Sequence, residues 1–243
     1  MESERKILLG LTTTPQSDWR RKIEEIDELN LKEIALFPTC LEMIERKELF
    51  SLLEKIKLLR IPFVHLRDDM EEKEADYLTD KFGTECFNVH PEGKFYQFVS
   101  KSKYRDRIYV ENLYYPKRRS FFNEEIFRKY KIAGICLDFS HLAAEEKEYP
   151  DYYPKKLKII ENSKIGCNHI SVCFSKRKYE PMVNADIYDS HYLEKLSDLD
   201  YLKKFPISFF SDMLAIELEN SFKEQLEAKK YIEDIIREKE NWK

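Results

Sequence analysis

The chain is expected to fold as an α/β protein, a (β/α)8 barrel, and three observations lead there. Eight short runs of β-type apolar residues recur along it. Charged segments with helical apolar spacing separate them. Its 243 residues match the span of eight strand-helix units closed into one barrel, so 1–243 reads as a single domain.

The strand-like runs are Ile7–Leu11, Glu33–Phe37, Pro62–Leu66, Cys86–His90, Ile108–Asn112, Gly134–Phe139, Cys167–Phe174 and Leu214–Asn220. Between the first two, Trp19–Leu29 places Trp19, Ile23, Ile26 and Leu29 on one helical stripe. Glu48–Leu59 does the same with Leu49, Leu52, Leu53, Ile56 and Leu59. A last helix near Phe222–Glu240, with Phe222, Leu226, Tyr231, Ile232, Ile235 and Ile236, is placed to close the ring against the first strand. Repeated strand-helix units imply parallel strands joined by right-handed crossovers. An open doubly wound sheet would announce itself with a glycine-rich first turn. Here Leu11-Thr-Thr-Thr-Pro15 stands instead, and the whole chain has five glycines.

Composition narrows the class. Hydrophobic residues make up 42% and charged residues 36%, which suits a packed core wrapped in charged helices. No apolar run approaches the roughly 18 residues that a membrane span needs. The start, Met1-Glu-Ser-Glu-Arg5, is too charged for a signal peptide, so a cytoplasmic location without membrane partners is expected. Five cysteines without a CxxC pair, among them Cys86, Cys136 and Cys173 in apolar runs, read as reduced core thiols.

All five histidines and four acidic residues fall at strand ends or just beyond: His65, His90, Glu111, Asp138, His141, His169, Asp189, His191 and Glu219. In a barrel, the carboxyl ends of different strands converge on one mouth, so these residues become neighbours. Imidazole and carboxylate ligate Zn²⁺ or Mn²⁺, and nine such groups exceed what one ion uses. Glu111 and Glu219 follow apolar strands, where an unpaired buried carboxylate costs several kcal/mol. Glu217 shares the inward face with Glu219 by period two. Glu219, nearer the carboxyl end, is the expected ligand, and Glu217 is expected deeper, paired with a lysine or a supporting histidine.

The order His, His, Glu, Asp-x-x-His, His, Asp-x-His, Glu, with the motifs Asn88-Val-His90-Pro91, Val110-Glu111-Asn112, Leu137-Asp138-Phe-Ser-His141 and Leu218-Glu219-Asn220, resembles the endonuclease IV family of abasic-site nucleases, within the xylose isomerase-like TIM barrels. The resemblance spans nearly the whole chain. It implies three zinc ions: one on His65, His90 and Glu111; a second on Glu111, Asp138, His169 and Glu219; a third on His141, Asp189 and His191. It further implies phosphodiester hydrolysis of an anionic substrate, DNA with an abasic site or a smaller phosphoester, with Glu111, Glu219 and His141 in catalytic roles. Two features depart from it. The segments Pro38-Thr-Cys-Leu-Glu-Met43 and Arg67-Asp-Asp-Met-Glu-Glu72 are short and partly acidic where long recognition loops are implied, and Val172 stands where an aspartate is usual.

Two basic clusters bearing tyrosines, Tyr114-Tyr-Pro-Lys117-Arg118-Arg119 and Lys176-Arg177-Lys178-Tyr179, are expected in mouth loops as contacts to substrate phosphates, despite a net charge of −4. A second reading, a sugar isomerase or epimerase of the same superfamily, needs only one Mn²⁺ or Mg²⁺ on Glu111, Asp138, His169 and Glu219, with His141 near the sugar. A third is a non-catalytic barrel that docks partners through charged faces such as Glu71–Glu74 or Glu145–Glu148. Such faces ordinarily read as solvated surface.

Overall fold

The computed structural model describes residues 5–114, 121–181 and 183–241. The first strand is split at Leu9 into β1 (Lys6–Leu8) and β2 (Gly10–Thr12). The others are β3 (Glu33–Phe37), β4 (Arg60–His65), β5 (Cys86–Val89), β6 (Ile108–Glu111), β7 (Ile135–Asp138), β8 (Ile165–Ile170), β9 (Val172–Glu180), β10 (Ala185–Ser190) and β11 (Met213–Ile216). The sheet runs β1-β11-β8-β7-β6-β5-β4-β3-β2, parallel throughout. Its two edges, β1 and β2, are consecutive in sequence, so the sheet closes on itself as an α/β TIM barrel.

The seam is drawn tight at Gly10. A Cβ there would lie 1.9 Å from the Ile216 carbonyl oxygen, so only glycine lets the first strand come this close to the last. Gln225, on the final helix, donates to the carbonyls of Gly10 (3.0 Å), Leu218 (3.1 Å) and Asn220 (3.0 Å) and accepts the Gly10 N–H (2.8 Å).

The helices are α1 (Trp19–Glu28), α2 (Met43–Leu53), α3 (Glu72–Phe82), α4 (Gly93–Lys101), α5 (Glu124–Tyr130), α6 (Phe139–Glu148), α7 (Tyr153–Glu161) and α8 (Phe222–Asn241). In α1 the stripe Trp19, Ile23 and Ile26 is buried, each worth about 1.5–3 kcal/mol of transfer free energy. The second helix starts earlier than its apolar spacing suggests. The Glu42 N–H donates to the Glu45 carboxylate (3.1 Å) in a reciprocal cap, which fixes the first turn at Met43. That helix ends at Leu53, leaving Leu59 65% exposed beyond it.

The run Cys167–Phe174 is not one strand. The barrel strand β8 stops at Ile170, and the Ser171 carbonyl accepts the Tyr201 hydroxyl (2.8 Å) instead of a sheet neighbour. From Val172 the chain leaves as an antiparallel arm, β9 with β10, and 3-10 turns at Leu196–Lys204 and Ile207–Phe209 stand where a helix was expected. Among the described residues, no helix is long and apolar enough to cross a membrane, and all five cysteines are free thiols, four of them buried.

Leu8, Ala35, Phe37, Phe63, Cys86, Tyr109, Cys136, Cys167 and Ala215 fill the barrel, and a larger apolar layer lies between sheet and helices. The filled interior leaves the carboxyl ends of the strands as the place where polar side chains gather.

Candidate metal centre

Glu111, the last residue of β6, sits at the middle of this end of the barrel. Its Oε2 lies 3.1 Å from His65 Nε2, 3.4 Å from His169 Nδ1 and 3.9 Å from His90 Nε2, and its Oε1 lies 3.1 Å from His141 Nδ1. The Asn88 amide donates to Oε2 at 3.0 Å. Burial alone would raise the Glu111 pKa, but the surrounding His169, His141, His65 and His90 hold it well below the usual carboxylate range. His65 ends β4, and His90 follows β5 with 33% of its side chain exposed.

The Asp138-x-x-His141 motif is a helix cap. Asp138 ends β7 and caps α6, with its Oδ1 accepting the His141 N–H (2.8 Å) and the Ser140 hydroxyl (2.7 Å). This leaves Oδ2 aimed inward, 3.7 Å from His141 Nδ1 and 3.8 Å from His169 Nδ1. His141 therefore belongs to the first turn of a helix, not to a loop. The Asn112 side chain ties the two strand ends together, accepting the Asp138 N–H (2.6 Å) and donating to the Asp138 carbonyl (2.9 Å). Burial, aided by the charges of Glu111 and Glu217, raises the Asp138 pKa against the pull of His141 and His169.

At the far side stands Glu217, not Glu219. Glu217 Oε2 lies 3.1 Å from His169 Nδ1, and its Oε1 lies 3.8 Å from His191 Nε2. Burial would raise its pKa, yet His191 and His169 bring it down to about 2. Glu219 is half-buried and accepts the Thr14 hydroxyl, and its N–H donates to the His191 carbonyl (2.7 Å). Glu217, expected deeper and beside a supporting histidine, lies there; Glu219, the expected ligand, meets Thr14 instead, so the deeper carboxylate meets the histidines. Phe37 and Phe63 pack edge-on against the His169 ring, at 5.1 and 5.3 Å between centroids, and close the floor.

Three sets of donor atoms, each within 4.8 Å of one another, result: His65, His90 and Glu111; Glu111, Asp138 and His141; Asp138, His169 and Glu217. Glu111 joins the first to the second, and Asp138 the second to the third. His141, Asp189 and His191, expected as one ligand set, do not form such a group. Asp189 accepts the Tyr114 hydroxyl and stands 3.7 Å from His141 Nε2.

The donor chemistry fits divalent cations. Asp138 Oδ2, His141 Nδ1 and both ring nitrogens of His169 are buried and find no hydrogen-bond partner among the described residues. Buried polar atoms are ordinarily satisfied, so inward-facing nitrogen and oxygen lone pairs at this density suit coordination. Carboxylate charge also holds protons on the rings. Burial would lower the histidine pKa values, but Asp138, Glu111 and Asp189 raise His141 to about 10, while Glu111, Glu217 and Asp138 raise His169 to about 9.

The basic clusters are placed differently from expectation. Lys176, Arg177 and Lys178 lie on strand β9 of the arm, not in a loop. Arg177 pairs with Glu148, and Lys178 pairs with Glu194 at 2.5 Å. Lys117, Arg118 and Arg119 lie outside the described residues. Glu145, read as helical surface, is fully buried 2.6 Å from the equally buried Lys156 ammonium, which also donates to the Leu113 carbonyl (2.6 Å) just beyond Glu111.

No family model matches the chain, and no curated protein does. Among solved structures it is similar to a xylose isomerase-like TIM barrel protein from Mycobacterium smegmatis in complex with magnesium, at 11% identity over 96% of each chain and a TM-score of 0.49. It is also similar to a xylose isomerase domain containing protein from Salmonella typhimurium, at 14% identity over 100% of this chain and 98% of that one, with a TM-score of 0.47. A phospho-2-dehydro-3-deoxyheptonate aldolase from Thermotoga maritima matches at 8% identity over 96% of this chain and 69% of its own, with a TM-score of 0.48. These are likenesses of barrel fold.

Proposed function

We propose that the chain is a metal-dependent phosphoester hydrolase whose barrel mouth holds more than one divalent cation, zinc being the best match to its donors. The observation that carries this reading is Glu111, whose two oxygens face His65, His90, His141 and His169 at 3.1–3.9 Å. Four imidazoles around one carboxylate, with Asp138 and Glu217 beyond, supply more ligands than one tetrahedral ion accepts. His65, His90, His141, His169, Glu111, Asp138 and Glu217 would hold the ions between them, Glu111 being common to two of the three donor sets.

Cations bound there would supply Lewis acidity, acidifying water and offsetting the charge of a phosphate during in-line displacement. The chain's own residues prepare the place. Asn88 donates to Glu111 Oε2 at 3.0 Å, the oxygen that faces His65, His90 and His169, and Ser140 donates to Asp138 Oδ1 at 2.7 Å, which leaves Asp138 Oδ2 facing the centre. His90 and His191, 33% and 22% exposed, mark the side from which substrate enters. Lys176 on the exposed arm is available to an anionic substrate, a smaller phosphoester or an abasic-site duplex.

A second reading, a single-metal sugar isomerase or epimerase, is favoured by one observation. Asp138, His169 and Glu217 converge on their own, with Glu111 3.4 Å from His169. Two carboxylates on either side of one ion suit proton transfer beside a carbonyl.

Elemental mass spectrometry of protein purified without chelator or histidine tag tests the two. More than one zinc ion per chain, with hydrolysis of a phosphodiester or an abasic-site duplex, supports the hydrolase. A single manganese or magnesium ion with turnover on a sugar panel supports the isomerase.

A further inference from the structure

Asp138 belongs to two of the three converging donor sets, so the direction of its carboxylate bears on the whole centre. The Asn112 side chain clamps its backbone but leaves the carboxylate free to turn about its own bonds. Oδ1 accepts the Ser140 hydroxyl at 2.7 Å and the His141 N–H at 2.8 Å. The Ser140 oxygen in turn accepts the hydroxyl of Ser171 at 2.7 Å. Both serines are buried, at 0% and 1% exposure, and Ser171 lies two residues past His169, where the chain leaves β8 for the arm. Its carbonyl accepts the Tyr201 hydroxyl at 2.8 Å, from the 3-10 turn beyond the arm.

We infer that Ser171 is a positioning residue for the metal centre: acting through Ser140, it holds Asp138 Oδ1, so that Oδ2 is the oxygen presented to an ion. The inference rests on the metal-centre reading above. The direction of the chain follows from the donors available. An ionised carboxylate only accepts, so the Ser140 proton points to Asp138, and the Ser140 lone pairs are left for the Ser171 proton. At 2.7 Å each, both contacts have ordinary O–H···O lengths. Each bond of such a chain polarises the next, so Ser140 is a stronger donor for having Ser171 behind it. With Oδ1 engaged twice, Oδ2 finds no hydrogen-bond partner among the described residues and faces His141 Nδ1 at 3.7 Å and His169 Nδ1 at 3.8 Å. Ligating carboxylates are commonly fixed in this way by groups that do not touch the ion. Neutral hydroxyls, by contrast, are outside the histidine, cysteine and carboxylate set that holds zinc. Tyr201 fixes the backbone of Ser171, so the root of the arm and the centre share one hydrogen-bonded chain.

Zinc affinity, measured by competition with a chromophoric chelator in Ser140→Ala, Ser171→Ala and the double variant, tests this. Ser140→Ala should bind about 10–100-fold more weakly and Ser171→Ala about tenfold, both with the parent's ion count. The double variant should match Ser140→Ala alone, because Ser171 reaches Asp138 only through Ser140. Losses that multiply in the double variant would overturn the inference, as would unchanged affinity or a lost ion in Ser171→Ala. Urea unfolding of the metal-free proteins separates packing from positioning: lower stability with the parent's zinc affinity also overturns it. If Ser171→Ala does not fold, Ser171→Cys, which nearly keeps the volume and replaces the hydroxyl by a weak donor, decides in its place, and unchanged affinity there overturns the inference. A parent chain that takes up no ion defeats the metal-centre reading itself, an outcome distinct from a parent and variants that bind zinc equally well.

Discussion

Nδ1 of His169 lies 3.1 Å from Oε2 of Glu217, and this pair, one residue on β8 and the other just past the end of the adjacent β11, puts an acidic side chain at the far side of the cluster. Register explains it. Ala215 is level with His169 and Ile216 with Ile170, and the Glu217 N–H donates to the Ile170 carbonyl (2.9 Å), so the Glu217 side chain meets the His169 ring. Two residues further on, Glu219 has climbed to the level of Thr14 and His191.

Glu217→Gln should therefore cost zinc affinity by more than the roughly 10–100-fold assigned to residues that only support a ligand. Glu219→Gln should keep the parent's ion count. Chelator competition on the two variants checks this, and the reverse ranking would return Glu219 to the ligand set.

Metal binding should strengthen with pH. In the metal-free chain the carboxylates raise His141 to about 10 and His169 to about 9 from an ordinary 6.5, against the opposing effect of burial. A cation must expel those protons, so apparent affinity rises by up to about tenfold per pH unit for each proton displaced. The sign for folding follows. Stabilisation from these histidines is complete below pH 6.5 and is lost as pH climbs through about 9 to 10. Lys22 works the other way, because burial lowers it to about 7 from 10.5 despite the nearby Glu219, Glu25 and Glu224, and its effect favours the fold as pH rises between those values. Calorimetric titration in buffers of different ionisation enthalpy, between about pH 6 and 8, measures the released protons. A proton count of zero at pH 7 would contradict protonated rings in the metal-free centre.

The pair Lys156 and Glu145 offers a test of stability. Both side chains are fully buried, 2.6 Å apart, on α7 and α6. Lys156→Met should destabilise the fold by about 3–5 kcal/mol, because it takes the ammonium away from a fully buried carboxylate 2.6 Å from it. Adding Glu145→Leu should restore most of that loss, since desolvation of the pair offsets much of its attraction. Urea unfolding of both proteins measures the difference. A single variant as stable as the parent would mean that the pair contributes nothing net.

That pair also shows where sequence reading stops. Alternation of apolar strands with charged helices was enough to find the barrel, because each element's period is local. The centre was legible for a related reason: strand ends converge in any such barrel, so His65, His90, Glu111, Asp138 and His169 meet whatever the loops do. Glu145 and Lys156 sit in charged runs indistinguishable from solvated surface, and tertiary packing buries them, α6 meeting α7 and the Lys156 ammonium reaching the Leu113 carbonyl beyond β6. Period two puts Glu217 and Glu219 on one face with Glu217 the deeper, but which of the two meets His169 is decided by the register against β8. The arm was hidden because β-type residues, Ile170 before Ser171 and Val172, Cys173 and Phe174 after it, run on without a turn signal where the Tyr201 hydroxyl takes the Ser171 carbonyl.

Gly10 is the position at which closure of the barrel can be tested. A methyl group there would lie 1.9 Å from the Ile216 oxygen and 3.1 Å from the Phe37 ring. An alanine cannot be accommodated by rotating a side chain, since the nearest obstacle is backbone. The first strand must then move away from the last, and the Gln225 amide that bridges Gly10, Leu218 and Asn220 loses partners in a buried setting. Overpacking of about 1–3 kcal/mol plus a similar cost for each stranded polar group makes Gly10→Ala one of the more damaging single methyl additions available. Glu217 directly follows Ile216, so zinc affinity should fall together with stability. Gln225→Ala, which strands the same carbonyls without the clash, should destabilise less and leave the ion count unchanged. Urea unfolding and chelator competition on both variants measure these effects. A Gly10→Ala protein with the parent's stability and affinity would show that the first strand does not meet the last as closely as the seam requires.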